Sequence, residues 1–533
     1  MNDSRIITVN DHYLAITANL ESALRHIREP HQSVRLWIDA ISINQDDVME
    51  RNHQVGQMCS IYSNAASTII YNGDSTDLSR AAFKRFFAAG AFSTEETNDM
   101  LSRPWFTRVW VFQEAVVSKN PWVYCGQDRL PWGKVRGMLS TSISSTPLPA
   151  RPLRFDNELS RYVATHAVVG AINRARDLYH TSHRRNQFEL LELLIQRRGF
   201  AATDPRDIVY ALTAIAPTTE VPIDYTKTCE DVYNMTAASL LSGRDDYRLL
   251  VCADSSDGYN GAGMLASWAP DWRDRNYYDS ALLDELPNDF LGRSWESFPH
   301  IDYSFSIDSG KYTLACRGER PWDTIRFVSR ALDAAVMDEI SLSPATLAQH
   351  FDLDRQSLTR RRLAEQAYDA WRIMIGEHIL PPYDGESRDS SGVNTSRPFF
   401  MGYSGSPDFN SPGPETLQLL WERTLFKDEQ RILDKRKIAL TESGRLGLVS
   451  SRAVEGDVVC RLRGSKIFFV LHPIEVESSP KIEYEIEKHF GDRISTARHY
   501  KFAGECVFDG TRDHLKGNGL ETRYPTDMCY ILH

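Results

Sequence analysis

The sequence predicts a mixed α/β protein: a parallel-sheet α/β domain first, a mainly helical region after it, and a small β-rich domain last. Between residues 34 and 118, short apolar runs of strand length alternate with stretches of helical periodicity. That order favours parallel strands joined by crossover helices. From 156 to about 250 the apolar residues recur at helical spacing, and Leu190, Leu191, Leu193 and Leu194 form a dense stripe. After 430, short alternating segments are separated by Gly444, Gly447, Gly456 and Gly464, a pattern of strands and turns.

Along the chain, Ile7, Val9, Leu14 and Ile16 alternate around Asn10-Asp11, which predicts a hairpin over 6–16. Asn19 is the predicted cap of a helix carrying Leu20, Leu24 and Ile27. Val34 to Ile41 is apolar apart from Arg35 and Asp39, as a strand buried on both faces would be. Asp47 and Glu50 have capping-box spacing, ahead of a helix that buries Val55, Met58, Cys59, Tyr62 and Ala66. Thr68 to Tyr71 is a second buried strand, ended by Asn72-Gly73-Asp74.

The most informative stretch follows. Residues 103–118 predict one helix, capped by Ser102, with Pro104 in its first turn, where a missing N–H breaks no bond. Val109, Phe112 and Val116 form its buried stripe. Trp110 and Glu114 lie four apart and share another face. The residues four before and four after Glu114 are Trp110 and Ser118, so the carboxylate has no local ion pair and sits beside an indole.

Residues 141–152 read as a Ser/Thr/Pro linker, and 384–415, rich in Gly, Ser, Pro and Asp, as a flexible loop. The predicted divisions are 1–140 for the α/β domain, 153–275 mainly helical, 276–383 mixed α/β, 384–415 loop, and 416–533 β-rich. A length of 533 residues allows about three domains. Asp204 and Pro205 look like the cap and first position of a helix.

Composition narrows the function. The net charge of −11 argues against nonspecific nucleic-acid binding. The runs Arg360-Arg361-Arg362 and Lys435-Arg436-Lys437 read as solvated faces. The eight cysteines contain no C-x-x-C, so a metal site is not expected and free thiols in a reducing compartment are. The N-terminus lacks a signal-peptide core and no run of about 18 apolar residues exists, so no membrane span is expected and the predicted location is cytoplasmic. Gly261-Ala262-Gly263-Met264-Leu265-Ala266 matches a relaxed dinucleotide fingerprint, but no strand precedes it and Pro270 follows. Gly402-Tyr403-Ser404-Gly405 is one residue short of a nucleophile elbow. No Walker loop, H-E-x-x-H or Ser/His/Asp set can be picked out.

One resemblance is specific. Leu36-Trp37-Ile38-Asp39-Ala40-Ile41-Ser42-Ile43-Asn44-Gln45-Asp46-Asp47 is followed by Glu50-Arg51, Gln54-Val55, Met58 and Ile61-Tyr62. Then come Arg103-Pro104-Trp105-Phe106 and Arg108-Val109-Trp110-Val111-Phe112-Gln113-Glu114. Over roughly residues 5–130 these strings closely resemble the fungal heterokaryon incompatibility (HET) domain. Ala202 to Leu212, Ile223-Asp224-Tyr225, Ser267 to Trp272 and Gly456 to Val459 resemble segments that commonly follow it.

The resemblance implies a fungal protein of self/non-self recognition whose action ends in cell death. It also implies a TIR/flavodoxin-like sheet, since the HET domain is thought to be a distant relative of TIR domains. Some TIR domains hydrolyse NAD+ through a glutamate in a W-C-x-x-E-type motif. Trp110-Val111-Phe112-Gln113-Glu114 is similar to that motif, with Val111 where cysteine is usual. On this reading Glu114 is the catalytic residue, and Asp39, Trp110, Arg108 and Arg103 bind substrate, the arginines by neutralising pyrophosphate. NAD+ is then a substrate; no cofactor is expected. An incompatibility partner and a homo-oligomer are the implied partners. The alternative is a non-catalytic module acting by self-association or partner binding. Residue by residue, the alternatives are an ordinary paired carboxylate for Glu114, a loop cap for Asp39, core packing for Trp105 and Trp110, and a structural clamp for Arg108.

Members of the family begin with a strand of the form Tyr-x-Ala-Leu-Ser-Tyr-x-Trp-Gly, upstream of the hairpin at 6–16. The resemblance therefore implies an N-terminally incomplete domain, its first, interior strand missing and the backbone groups of its neighbours unpaired. Otherwise the hairpin fills the gap, or the domain is inactive.

Overall fold

The computed structural model describes residues 4–87, 93–140, 158–181, 188–216, 221–243, 248–253, 265–273, 303–308, 311–328, 436–443, 445–463, 465, 468–476, 479–490, 497–508 and 528–533. The expected linker 141–152, the loop 384–415, the fingerprint glycines at 261 and 263, Gly402 to Gly405 and the Arg360 run lie outside these residues. The chain is mixed α/β and divides into two compact units, Met1–Gly243 and Arg244–His533.

The first unit opens with a hairpin, β1 (Ser4–Val9) and β2 (His12–Thr17), turned by Asn10 and Asp11. Both turn residues have positive φ (50° and 64°), the conformation a tight hairpin turn requires. The following helix α1 (Ala18–Ile27) starts earlier than expected, because Thr17 and not Asn19 caps it by accepting the Leu20 N–H. The hairpin forms a sheet of its own and fills no gap in another.

The strand expected over Val34–Ile41 is not formed. Residues 33–38 carry no regular structure, and Asp39–Ser42 is a single helical turn, α2. The apolar run fitted a doubly buried strand, yet Val34, Leu36 and Trp37 are 45%, 37% and 37% exposed. A strand needs a ladder, and among the described residues no strand pairs with this segment.

Helix α3 (Val48–Asn64) is capped as read: Asp47 accepts the N–H groups of Met49 and Glu50. The Glu50 side chain reaches Asn44 N rather than Asp47 N. Val55 and Met58 are buried, Cys59 and Tyr62 half-buried, and Ala66 lies exposed beyond the helix end. Strand β3 (Thr68–Tyr71) is present, and its parallel partner is β4 (Pro121–Cys125). The crossover between them carries α4 (Asp77–Phe87), α5 (Thr94–Leu101), a 3-10 turn at Pro104–Thr107 and α6 (Val111–Val117). An antiparallel strand β5 (Asp128–Pro131) completes the three-stranded sheet.

The helix expected over 103–118 is thus two pieces. At the break, Val109 N donates to Ala201 O and Ala201 N to Thr107 O, so the backbone at 107–109 pairs with a remote segment instead of with itself. Val109, Phe112 and Val116 are buried as the periodicity requires. Arg176 Nη1 and His180 Nε2, on α8 (Glu158–Thr181), meet the free carbonyls at the end of α6. After α7 (Trp132–Ser140) and α8, the unit continues with α9 (Leu190–Gln196), α10 (Asp207–Thr213) and α11 (Cys229–Gly243). The four leucines on α9 are all buried.

The second unit has a short helix α12 (Arg248–Cys252) and a nine-stranded sheet. Its strands are β6 (Tyr303–Asp308), β7 (Lys311–Gly318), β8 (Asp323–Val328), β9 (Lys437–Thr441), β10 (Leu446–Val449), β11 (Val458–Arg461), β12 (Phe468–Pro473), β13 (Ala497–Phe508) and β14 (Met528–Leu532). The run β10-β9-β8-β11-β12-β13 closes on itself through a β10–β13 pairing, making a barrel around Ile325, Val449, Val459, Val470 and Phe508. Strands β14, β7 and β6 extend from it, and α13 (Pro480–Phe490) packs Ile482, Ile486 and Phe490 on their face. Strands from the expected 276–383 region therefore share one sheet with the expected C-terminal domain. Arg436, expected on a solvated face, is buried in an ion pair with Glu505. None of the eight cysteines is in a disulfide. Among the described residues no helix is long and apolar enough to cross a membrane, and no cluster of metal ligands occurs.

The β4–β5 turn supplies a test of the first unit. Gly126 has φ +57°, and a Cβ there would sit 3.1 Å from Ser75 N. Gly126→Ala is expected to destabilise the unit by about 1–3 kcal/mol, from left-handed strain plus the contact. Gly133→Ala, where a Cβ meets nothing within 4 Å, is expected to be neutral or slightly stabilising. Urea denaturation of the two variants checks the contrast.

Candidate functional site

A cavity of about 910 Å³ opens in the first unit, lined by α2, α3, the 108–114 stretch and residues 201–229. Its size is within the range of small-molecule sites. Four of the five expected site residues line it: Asp39, Arg108, Trp110 and Glu114.

Each is placed by a local feature. Asp39 is the first residue of α2; it accepts the N–H of Ala40 and lines the cavity. Arg108 lies in the extended break, bridged to Ala201. Trp110 is the residue before α6, and its carbonyl accepts the N–H of Glu114 one turn on. Burial pushes the Glu114 carboxyl above the ordinary carboxylate range. Arg108 opposes that shift, Asp39 adds to it, and a hydrogen bond from the buried Trp105 side chain opposes it. Tyr62, from the last turn of α3, joins this group; burial and the Glu114 and Asp39 charges raise its phenol.

Arg103 is elsewhere. Its Nη1 donates to the carbonyls of Asn72 and Asp74 (2.6 and 2.8 Å), and its Nη2 to Asp99 Oδ2 (2.9 Å). It clamps the loop after β3 and does not line the cavity. The reason is the break at 107–109: a continuous helix would have carried Arg103 along with Glu114, and the helix is interrupted there.

A second group of side chains was not, apart from Trp110, expected at the site from the sequence, which offered Asp204, Arg206 and Asp207 only as a helix start. Trp110 Nε1 donates to Asp207 Oδ2 (3.0 Å), and the Tyr225 hydroxyl donates to Asp207 Oδ1. Burial raises the Asp207 carboxyl despite these two donors. Arg51 lies 3.4 Å above the Tyr225 ring and pairs with Asp204 at 2.7 Å. Burial works against ionisation of Asp204, but hydrogen bonds from Arg206 and Arg51 hold its carboxyl below the usual range. Asp204, expected as a cap, does accept the Arg206 N–H, and α10 begins three residues later at Asp207. The available signal was the strings Asp204-Pro205-Arg206-Asp207 and Ile223-Asp224-Tyr225, whose role spacing alone could not give.

Residues 1–114 match the family model described as Heterokaryon incompatibility protein (HET). These residues therefore carry a HET domain. The chain is 22% identical over 334 residues to "Heterokaryon incompatibility protein 6, OR allele" of Neurospora crassa, across 49% of each chain. The chain thus spans about half the length of that relative. No solved structure matches it. The HET segment supplies Asp39, Arg51, Tyr62, Arg108, Trp110 and Glu114, and residues beyond it supply the opposite wall of the cavity.

The raised Glu114 carboxyl has a stability consequence. The folded state holds its proton more tightly than the unfolded chain does. The group's contribution is therefore complete below the unfolded value and is lost as pH rises through the raised folded one. Glu114→Gln is expected to melt higher than the parent at neutral pH, and the gap is expected to close in acid. Thermal melts across pH 4 to 8 (about that range) check the sign.

Proposed function

We propose that the chain is a heterokaryon incompatibility effector whose first unit hydrolyses NAD+ at this cavity, with Glu114 as the central carboxylate. The observation that carries the reading is the gathering of Glu114, Asp39, Arg108 and Trp110 around one cavity, with Glu114 shifted toward basicity. The parallel β3–β4 pair with its helical crossover supports a TIR/flavodoxin-like descent. The relative's printed name supports a role in incompatibility.

The chemistry suits these groups. When the C1′–N bond of NAD+ breaks, nicotinamide leaves with the electron pair as a neutral molecule and C1′ becomes oxocarbenium-like. Glu114 and Asp39 supply negative charge to that centre and accept hydrogen bonds from ribose hydroxyls. Water adds to C1′, and Glu114, as a strengthened base, takes the proton that water releases. ADP-ribose and nicotinamide are the products. Trp110 offers a flat wall against which an aromatic ring can stack.

Purified full chain incubated with NAD+ is expected to release nicotinamide, and Glu114→Gln to cut the rate by about 100-fold or more. Asp39→Asn is expected to cut it less. Since Glu114→Gln should fold at least as well as the parent, its loss cannot be put down to unfolding. Equal release from parent and variant would remove Glu114 from the mechanism. No release at all from the parent, clustered or not, would favour the recognition module that acts by self-association.

A further inference from the structure

We infer that Arg51 is the phosphate-binding residue of the cavity, so that its ligand is a nucleoside diphosphate ester and not an uncharged nucleoside. The inference deepens the NAD+ reading and rests on it.

Three guanidinium groups line the cavity, and they are not equivalent. Arg206 is committed to the fold: Nε and Nη2 donate to Asp204 (2.9 and 2.8 Å), and Nη1 to the carbonyls of Tyr225 and Lys227 (2.8 and 2.6 Å). Arg108 belongs with Glu114, whose charge it opposes. Arg51 differs from both. Its guanidinium carbon lies 3.4 Å over the centroid of the Tyr225 ring, and among the described residues its side chain makes one hydrogen bond, from Nη2 to Asp204. A guanidinium has five N–H donors in a fixed plane. Stacking fixes the plane and leaves the remaining edge for a bidentate acceptor, the geometry phosphate oxygens match.

The local charge balance agrees. Asp204 is shared by Arg51 and Arg206, two cations on one carboxylate. Asp207 is next to this group, but its oxygens are occupied by the Trp110 and Tyr225 donors. This group of side chains therefore balances two guanidiniums against two carboxylates, only one of which bonds Arg51, whereas the Glu114–Asp39 group has two carboxylates to Arg108 alone. A ligand with a cationic ring and an anionic linker fits that polarity: the ring toward Glu114 and Asp39, the phosphates toward Arg51.

The test is binding to the full chain, followed by calorimetry, with ADP and adenosine as probes. ADP is expected to bind tighter than adenosine, and Arg51→Gln to weaken ADP by about tenfold or more while leaving adenosine unchanged. Because Arg51 also holds Asp204, Asp204→Asn is the second variant. It removes the ion pair and keeps the guanidinium, so ADP affinity is expected to hold or rise. Overturning results are ADP binding unchanged in Arg51→Gln, equal losses of ADP and adenosine in that variant, a loss in Asp204→Asn as large as in Arg51→Gln, or ADP binding no tighter than adenosine in the parent. The two readings separate cleanly. NAD+ turnover with a KM indifferent to Arg51→Gln sinks this inference alone, and Arg51-dependent ADP binding without nicotinamide release sinks the hydrolysis alone.

Discussion

The cavity depends on one half-buried carboxylate and the two donors that hold it. Asp207 receives the Trp110 indole N–H and the Tyr225 hydroxyl in a setting where burial raises its carboxyl. Without those donors the desolvated group would be costly. Each donor comes from a different piece of chain, so satisfying Asp207 fixes three segments at once: the start of α6, the start of α10 and the 223–225 turn. The backbone exchange between 107–109 and Ala201, and the Tyr225 N–H bond to Asn52 Oδ1 (2.8 Å), work in the same direction. Trp110 is thereby held against a cavity wall one helical turn from Glu114.

Around that tie the charges divide into two groups. Asp39 and Glu114 share Arg108 and a half-buried phenol; Asp204 is shared by Arg51 and Arg206. Glu114 is kept partly desolvated with an arginine nearby, and among the described residues no ion pair reaches it. A carboxylate so placed reduces stability at neutral pH and gains basicity, the exchange expected where reactivity is needed. Asp204 is the contrast, a carboxylate whose burial cost is more than offset by bonded arginines, and it works as structure. The same functional group therefore meets two different settings in one cavity, decided by whether its cations bond to it.

Much of this was legible in the sequence where local physics decides. Alternation around Asn10-Asp11 gave the hairpin, Asp47 gave the α3 cap, and the leucines of α9 gave a buried stripe. The Trp110–Glu114 spacing placed both on one cavity because they fall within, or next to, a single unbroken helix. Val34–Ile41 misled because an apolar run specifies burial, not pairing; a strand exists only with a neighbour, and no described strand is beside it. Likewise the alternation after 430 signalled strands, but closure of the barrel through β8 depends on a pairing partner more than a hundred residues earlier, at Asp323–Val328. Arg436 reads as part of a basic run until the fold brings Glu505 beside it.

Arg103 and Arg51 show where spacing arguments stop. Arg103 precedes Glu114 in the same motif, and Arg51 sits on another helix, so helical geometry favours Arg103 as the ligand-facing cation. That inference holds only while the backbone hydrogen bonds run without interruption from 103 to 114. They do not, because Thr107 O and Val109 N are taken by Ala201. The extended link at Arg108 re-aims everything before it, and Arg103 meets the carbonyls of Asn72 and Asp74 instead. The same interruption admits the 201–207 segment beside α6, and with it Asp204 and Asp207, the groups that orient Arg51 and Trp110. One local break thus takes Arg103 away from the cavity and brings in the segment that orients Arg51.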